Sequence, residues 1–325
     1  MNHVLYCANE KYFAYMLTSL FSLLENNKDL PLTIHIIEEH FSKDQKEKLD
    51  KLLMNYHNVS LKIYPLDKIK DFLDLYQIPL WRNTEISNAR IFAYELIQDT
   101  DQLLYLDSDT IIVNSVKSLF QKKTNAPLSA SKEIIIPSHM QKLVNTYYNS
   151  GVLLFDFNYW ENEHCIDKIK EQLKSNKHNL IYPDQDLINI ALGDLITLLP
   201  YKYNIIPPYY EIYKHPYLSK KIYYQLSQQT FEDIYDSMIC PYIYHMLKYI
   251  TVRPWEQNKI HPFNNIFDQY YKKLYPNIPK EKVNTQLVNL SILPTINCIA
   301  RAFIPSKVEN TIKNKVKEKL HRTEL

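Results

Sequence analysis

Two aspartates one residue apart, Asp107 and Asp109 on either side of Ser108, close the apolar run QLLYLD at Gln102–Asp107. Carboxylates so placed can aim at a single hard cation. Mg²⁺ or Mn²⁺ takes oxygen ligands in octahedral array, and substrate phosphate oxygens usually complete the shell. The bare pattern is weak. Among 18 Asp in 325 residues about one such pair falls together by chance, and there are three, the others being Asp99-Thr100-Asp101 and Asp184-Gln185-Asp186. A solvated turn beside a strand explains most of these and suits Asp99-Thr100-Asp101. Position sets the Asp107 pair apart, because LLYL delivers it to the end of a buried strand and IIV follows at once.

Other residues offer complementary chemistry, each with a plainer alternative. His245, in ICPYIYHM, carries an imidazole suited to Mn²⁺ as a third ligand, although a histidine beside an apolar strand is more often a packed core residue. Arg253, ahead of Pro254-Trp255, has the planar fork that neutralises a diphosphate. Asn149-Ser150-Gly151 precedes the run GVLLFDFN, and Pro183-Asp184-Gln185-Asp186 opens a helix of which Asp184 could simply be the N-cap. Arg90 falls on a helix expected over Ser87–Ile97 with Ser87 as N-cap; an exposed salt bridge is its ordinary role.

The elements that must position these residues alternate. Val4–Cys7 reads as a buried strand, Phe13–Leu24 as a helix, Leu32–Ile37 as a strand, Lys43–Tyr56 as a charged helix, Val59–Tyr64 as a strand, and Gln102–Asp107 as another. Strand and helix in turn mean parallel β-α-β units and a sheet covered on both faces. In such sheets ligands bind at the carboxyl ends of strands, here just after Cys7 and Leu106. Gly151–Asn158 is a further strand, and helices follow at Cys165–Leu173 and from about Asp184. Beyond Trp255 the chain turns helical, polar and basic, which divides it into a unit at 1–255 and a tail at 256–325.

Composition removes other classes. A hydrophobic share of 46% with 23% charged residues excludes disorder. Only two glycines, Gly151 and Gly193, are present, so neither G-x-G-x-x-G nor a Walker loop can be built. A net charge of +2 gives no global field for nucleic acid. Four scattered cysteines without a C-x-x-C pair suggest reduced thiols in a cytosol. The N-terminus does not read as a signal peptide, and no run of about 20 apolar residues suggests a membrane span.

Taken in order, VLYCANEKYFAYMLTSLFSLL, ISNARI, LLYLDSDTIIVNS, YYNSGVLLFDFNYW, YPDQDLIN and HMLKYITVRPW resemble glycosyltransferase family 8 from about Met1 to Trp255. The resemblance implies an α/β fold of GT-A type, a nucleotide-sugar-binding domain with a mostly parallel central sheet, followed by a helical tail. It implies a retaining, metal-dependent transfer of galactose or glucose from a UDP-hexose to a bacterial surface glycan. Asp107, Asp109 and His245 would be the metal ligands, for Mn²⁺ or Mg²⁺. Cys7, Ala8, Asn9 and Tyr12 would lie against uracil and ribose, with Ser108 also facing the donor. Arg90 would reach the donor sugar or phosphates, and Asn149 and Ser150 would line the sugar and acceptor site. Asp184 and Gln185 would contact sugar hydroxyls, Gln185 near the β face of the anomeric carbon, and Arg253 would take the place of a diphosphate-binding lysine.

The sequence departs from the family at two places. Asn9 stands where an Asp is frequent. The usual His-x-x-Gly-x-x-Lys-Pro-Trp is lengthened by two residues between His245 and Trp255, lacks its Gly and has Arg253 for Lys. A silent nucleotide-sugar-binding module or a metal-dependent phosphohydrolase are the competing classes. The tail adds a membrane expectation. Leu287–Ile304 is apolar but broken by Pro294, Asn297 and Arg301, too interrupted to span a bilayer. Val308, Ile312, Val316 and Leu320 then form one stripe among Lys307, Lys313, Lys315, Lys317, Lys319 and Arg322. Such a helix suits an anionic leaflet, so a cytoplasmic protein, peripheral on the inner membrane face and working on an oligosaccharide or lipid-linked acceptor, is expected. Packing of that stripe on the protein, or on a second subunit of a homo-oligomer, is the alternative.

Overall fold

The computed structural model describes residues 1–122, 124–283 and 290–303. Among the described residues nine strands are formed: β1 (Asn2–Asn9), β2 (Leu32–Glu39), β3 (Val59–Pro65), β4 (Gln102–Leu106), β5 (Thr110–Ile112), β6 (Leu128–Lys132), β7 (Tyr148–Asp156), β8 (Ile196–Leu198) and β9 (Ile243–His245). Seven make one sheet in the order β3-β2-β1-β4-β7-β6-β8. Only β7 runs against its neighbours; the remaining pairings are parallel. The sheet is thus mostly parallel, as the alternation of elements implies.

Side-chain alternation divides each central strand between two cores. Val4, Tyr6, Leu104, Leu106, Val152 and Leu154 face one. Leu5, Cys7, Leu103, Tyr105, Leu153 and Phe155 face the other. Burial on both faces is why these strands read as near-continuous apolar runs. The helix Phe13–Glu25 covers the first face with Met16, Leu20 and Leu23. The helices Cys165–Asn176 and Pro183–Leu192 cover the second with Ile169, Leu187 and Ile188.

Local structure corrects the sequence reading at three places. The charged helix stops at Leu53 rather than Tyr56 and starts on a capping box between Ser42 and Gln45. The expected helix over Ser87–Ile97 is a 3₁₀ segment, Asn88–Phe92, running into one α-turn, Ala93–Leu96. Ser87 makes no side-chain cap there, and its buried hydroxyl has no hydrogen-bond partner. The helix Pro183–Leu192 begins on Tyr182 with Pro183 in its first position, which places Asp184 inside the first turn rather than at the cap.

Past β9 the chain returns to the first core. Trp255 stacks on Tyr15 with ring centroids 4.1 Å apart, and the helix Asn264–Leu274 buries Phe267, Tyr270 and Tyr271 in the same cluster. Leu293–Phe303 is one uninterrupted helix, because Pro294 occupies its first turn, where no intrahelical donor is needed. It buries Cys298 and exposes Ile296, Ile299 and Phe303. Among the described residues no helix is long and apolar enough to cross a membrane. The stripe Val308, Ile312, Val316 and Leu320 with its lysines lies outside the described residues.

Arg301 fastens this helix, donating from Nη1 to Glu211 Oε2 at 2.8 Å and from Nη2 to Tyr223 Oη at 3.2 Å. Arg301→Met would strand a buried carboxylate. It should cost roughly 2–3 kcal/mol, toward the low side for breaking a buried pair because the arginine side chain keeps 22% exposure. The denaturation midpoint measures this, and adding Glu211→Gln should restore most of the loss.

Candidate active site

β4 carries the first carboxylate to the carboxyl edge of the sheet. Tyr105 and Asp107 share a face of the strand by the two-residue period, and the Tyr105 hydroxyl donates to Asp107 Oδ1 at 2.6 Å. A tight turn follows: the Thr110 backbone N–H donates to Asp107 O at 3.1 Å, which turns Asp109 back beside Asp107. β5 then pairs antiparallel with β9, setting Thr110 opposite His245. Residues 138 apart in sequence thereby converge. His245 Nε2 lies 3.4 Å from Asp107 Oδ2 and 3.1 Å from Asp109 Oδ1.

Gly151 makes room for that imidazole. A Cβ built on Gly151 would fall onto His245 Cε1 and Nδ1 and within 2.9 Å of Nε2. One of the chain's two glycines therefore sits where the ring must meet bare backbone. Its carbonyl also accepts the Asp107 N–H at 2.8 Å, so the same residue aligns two members of the triad.

Arg90 is buried, not exposed, and joins three elements. Nη2 lies 3.0 Å from Asp107 Oδ1 and Nε 3.3 Å from Asp184 Oδ2. Nη1 donates to Ser150 O at 2.8 Å, Nε donates to Ser87 O at 2.9 Å, and the guanidinium covers the Tyr105 ring at 4.3 Å. Burial opposes ionisation of both Asp107 and Asp184. At Asp107, Arg90 and His245 overcome it and hold the carboxyl below its ordinary range. At Asp184 burial prevails over Arg90, and the pKa is raised. Burial would depress His245 likewise, yet Asp109 and Asp107 lift it to about 9. Arg253 Nη1 donates to Asp109 Oδ2 and to Met246 O, both at 2.6 Å.

The remaining expected residues surround this centre. Ser108 Oγ donates to Cys7 O at 3.0 Å, tying the aspartate turn to the end of β1. Cys7 and Ala8 are buried there, and burial pushes the Cys7 thiol up to about 12, which leaves it a packing residue. Asn9 Oδ1 accepts the Tyr12 N–H at 3.1 Å, and the Tyr12 hydroxyl accepts from Arg82 at 2.9 Å. Gln185 Oε1 accepts the Ser150 N–H at 2.9 Å, and Ser150 Oγ donates to Asp184 Oδ2 at 3.2 Å. Asn149 is turned away from the carboxylates. Its amide donates to Glu133 at 2.6 Å, and its carbonyl oxygen accepts from Gly151 N–H and from Asn204.

Several contributors escaped the sequence reading. Tyr105 had a signal, the i, i+2 spacing to Asp107. Asn204 and Glu133 had none, being polar residues in segments without a motif. Asn204 Oδ1 lies 3.1 Å from His245 Nδ1. The hairpin tip Trp81–Thr84, with Arg82 and Asn83 both at positive φ, leans Trp81 edge-on to Tyr182 at 5.3 Å.

The donor set fits a divalent cation. His245 Nε2 is buried without a hydrogen-bond partner and faces one oxygen from each aspartate. With Nδ1–H given to Asn204, loss of the Nε2 proton that the aspartates favour would leave a lone pair directed at that point. A second grouping, His3, His35 and Asp99, meets the same spacing criterion. There the two imidazoles hydrogen-bond each other at 2.9 Å and Lys62 pairs with Asp99, so every group is already partnered. Gly151→Ala should displace His245 and weaken Mn²⁺ binding at least about tenfold, the lower end of what disturbing a ligand's support costs. Titration calorimetry on the folded variant checks this.

Comparison with known proteins bears on the family and the fold. The model of the family described as Glycosyl transferase family 8 matches residues 3–232, ending short of His245 and Arg253. A lipopolysaccharide 1,2-glucosyltransferase of Escherichia coli is 29% identical over 208 residues, 61% of this chain and 60% of the relative. A glycosyltransferase GlyB of Streptococcus pneumoniae is 25% identical over 63% of this chain and 47% of its own length. The matched region thus spans less than two thirds of these curated relatives. Among solved structures, a galactosyltransferase LgtC with donor and acceptor sugar analogues superposes with a TM-score of 0.68 at 19% identity, covering 86% of this chain and 98% of that one. At that identity the likeness speaks for the fold, a GT-A-type α/β architecture. With its family model matched across more than two thirds of its length, the chain belongs to glycosyl transferase family 8.

Proposed function

We propose that the protein transfers a hexose, galactose or glucose, from a UDP-hexose to a saccharide hydroxyl of a bacterial surface glycan, retaining the α configuration. The observation that carries this is the convergence of Asp107 Oδ2, Asp109 Oδ1 and His245 Nε2 beside the Arg90–Asp184–Ser150–Gln185 cluster. The names of the curated relatives and family membership support the sugar-transfer class. Asp107, Asp109 and His245 would hold Mn²⁺, or Mg²⁺ in its place, which when bound supplies Lewis-acid stabilisation of the leaving diphosphate.

This chain's own residues do the rest. Arg253 offers a fixed positive charge for the diphosphate. The floor at Cys7, Ala8, Asn9 and Tyr12 receives the nucleoside, with Ser108 holding the aspartate turn against it. Arg90, being fixed by five partners, orients Asp184 and the Ser150–Gln185 pair toward the sugar. Asn149 braces the support behind His245. Gln185 is an amide and a poor nucleophile, so the reading favours front-side attack, in which a departing phosphate oxygen takes the acceptor's proton. We assign the chemistry to residues 1–255 and a supporting role to 256–325.

The segment after Ile304 extends the proposal to an anionic membrane surface on the cytoplasmic side, where a lipid-linked acceptor would lie. The outward row Ile296, Ile299 and Phe303 on the last described helix supports it.

Incubation with UDP-galactose or UDP-glucose, Mn²⁺ and a saccharide acceptor separates transfer from hydrolysis or mere binding, and NMR of the product reads its anomeric configuration. Asp107→Asn or Asp109→Asn should each reduce kcat/KM at least about 100-fold, the scale of losing an electrostatic stabiliser of the leaving group. Full activity of either variant in chelator defeats the metal assignment. Deleting 307–325 should abolish flotation with anionic liposomes while sparing transfer to a soluble acceptor.

A further inference from the structure

Asp107 and Asp109 each lie under an arginine, and the two arginines are bound with unequal completeness. Asp107 receives Arg90 and the Tyr105 hydroxyl on Oδ1, which leaves Oδ2 directed at His245. Asp109 is held in the same pattern, Oδ2 under Arg253 and Oδ1 near His245, so what differs is how firmly each arginine is bound. Arg90 cannot leave, since Ser87, Ser150, Asp184 and the Tyr105 ring surround it. Arg253 is bound less completely. Its guanidinium touches Asp109 and Met246 O and lies 5.3 Å from the Trp255 ring. It stands one residue past a tight turn, Tyr249–Val252, in which the β-branched Ile250 is held at φ 56°, a costly conformation for such a side chain.

We propose that Arg253 and the divalent cation compete for Asp109: the guanidinium on Oδ2 satisfies the carboxylate until a cation on Oδ1 drives it off by like charge, and it is thereby released toward the donor's diphosphate. This rests on the metal-dependent reading above and adds an order to it. A dication between Asp107, Asp109 and His245 would stand beside the guanidinium with like charge in a buried pocket, where such repulsion is strong. A diphosphate gives the displaced arginine a new bidentate partner. Cation and nucleotide therefore favour each other's binding, and the coupling is reciprocal. The planar fork suits this role, because one nitrogen already holds two acceptors here and the group can hand both over together.

The test is Mn²⁺ affinity, by calorimetry or by the loss of free-ion EPR signal, measured with and without UDP and with no sugar transfer involved. Wild-type protein should bind Mn²⁺ at least about tenfold more tightly with UDP present. Arg253→Met should bind Mn²⁺ alone about tenfold more tightly than wild type, and should gain little from UDP. Arg253→Lys, which keeps the charge, should stay near wild type. Lys248→Met removes an exposed charge from the same loop without touching Asp109, and should also leave the affinity unchanged. If Arg253→Met binds Mn²⁺ alone no more tightly than wild type, or if Lys248→Met matches its gain, the competition is wrong while the metal site stands. If wild-type protein binds no Mn²⁺ even with UDP, the metal reading fails and takes the competition with it.

Discussion

A guanidinium with 5% exposure, Arg90, is the charge on which the arrangement of the site depends. Asp107 comes from the end of β4, Asp184 from the first turn of the Pro183 helix, and Ser150 from β7. Brought together without a cation, the two carboxylates would repel in a medium that barely hydrates them. Arg90 satisfies both and takes the Ser150 and Ser87 carbonyls besides, so few of its donors go unused. Its cost of burial is met only if every partner is in place. That requirement fixes the spacing of sheet and helix more tightly than apolar packing alone would.

Behind the carboxylates a hydrogen-bonded polar chain performs a different task. Glu133, Asn149, Asn204 and His245 are linked in series, each by a hydrogen bond of 3.1 Å or less. Amides in the middle of the series can donate from one end and accept at the other, which sets the direction of each bond. Burial raises the pKa of Glu133 despite its bond to Asn149. The chain terminates on the ring whose opposite nitrogen faces the aspartates. One network thus carries charge and the other carries orientation, and they meet only at His245 and Ser150-Gly151.

The sheet was legible because strands buried on both faces must be apolar throughout, and Val4–Cys7 and Gln102–Leu106 are. The carboxylate pair was legible because a polar doublet ending such a strand has nowhere else to go. Arg90 was placed near the donor by resemblance alone, its local pattern suggesting only an exposed salt bridge, because burial of a charge leaves no mark there; its partners lie 17, 60 and 94 residues away. Ser87 and Asp184 both look like caps and neither is one: the Asp184 carboxylate meets Arg90 and Ser150 instead, and the Ser87 hydroxyl is buried without a partner. The lengthened loop before Trp255 lacks the glycine common to the family, yet still contains a left-handed residue, Ile250.

The pairing of β5 with β9 also bears on how this chain acquires its activity during folding. Thr110 and His245 meet only after 134 intervening residues have closed into a loop, an entropic cost that local contacts cannot offset in advance. The first four strands of the sheet close sooner, His3 pairing with Leu103, since β1 to β4 all lie within the first 106 residues. A nascent chain could therefore complete half of its sheet, with Asp107 and Asp109 already at the edge, and still have no imidazole opposite them. On the proposed reading, cation capture would belong to the last stage of assembly, and a bound ion would act as a lock on the finished topology, adding its binding free energy to a long-range contact that is otherwise just three residues wide.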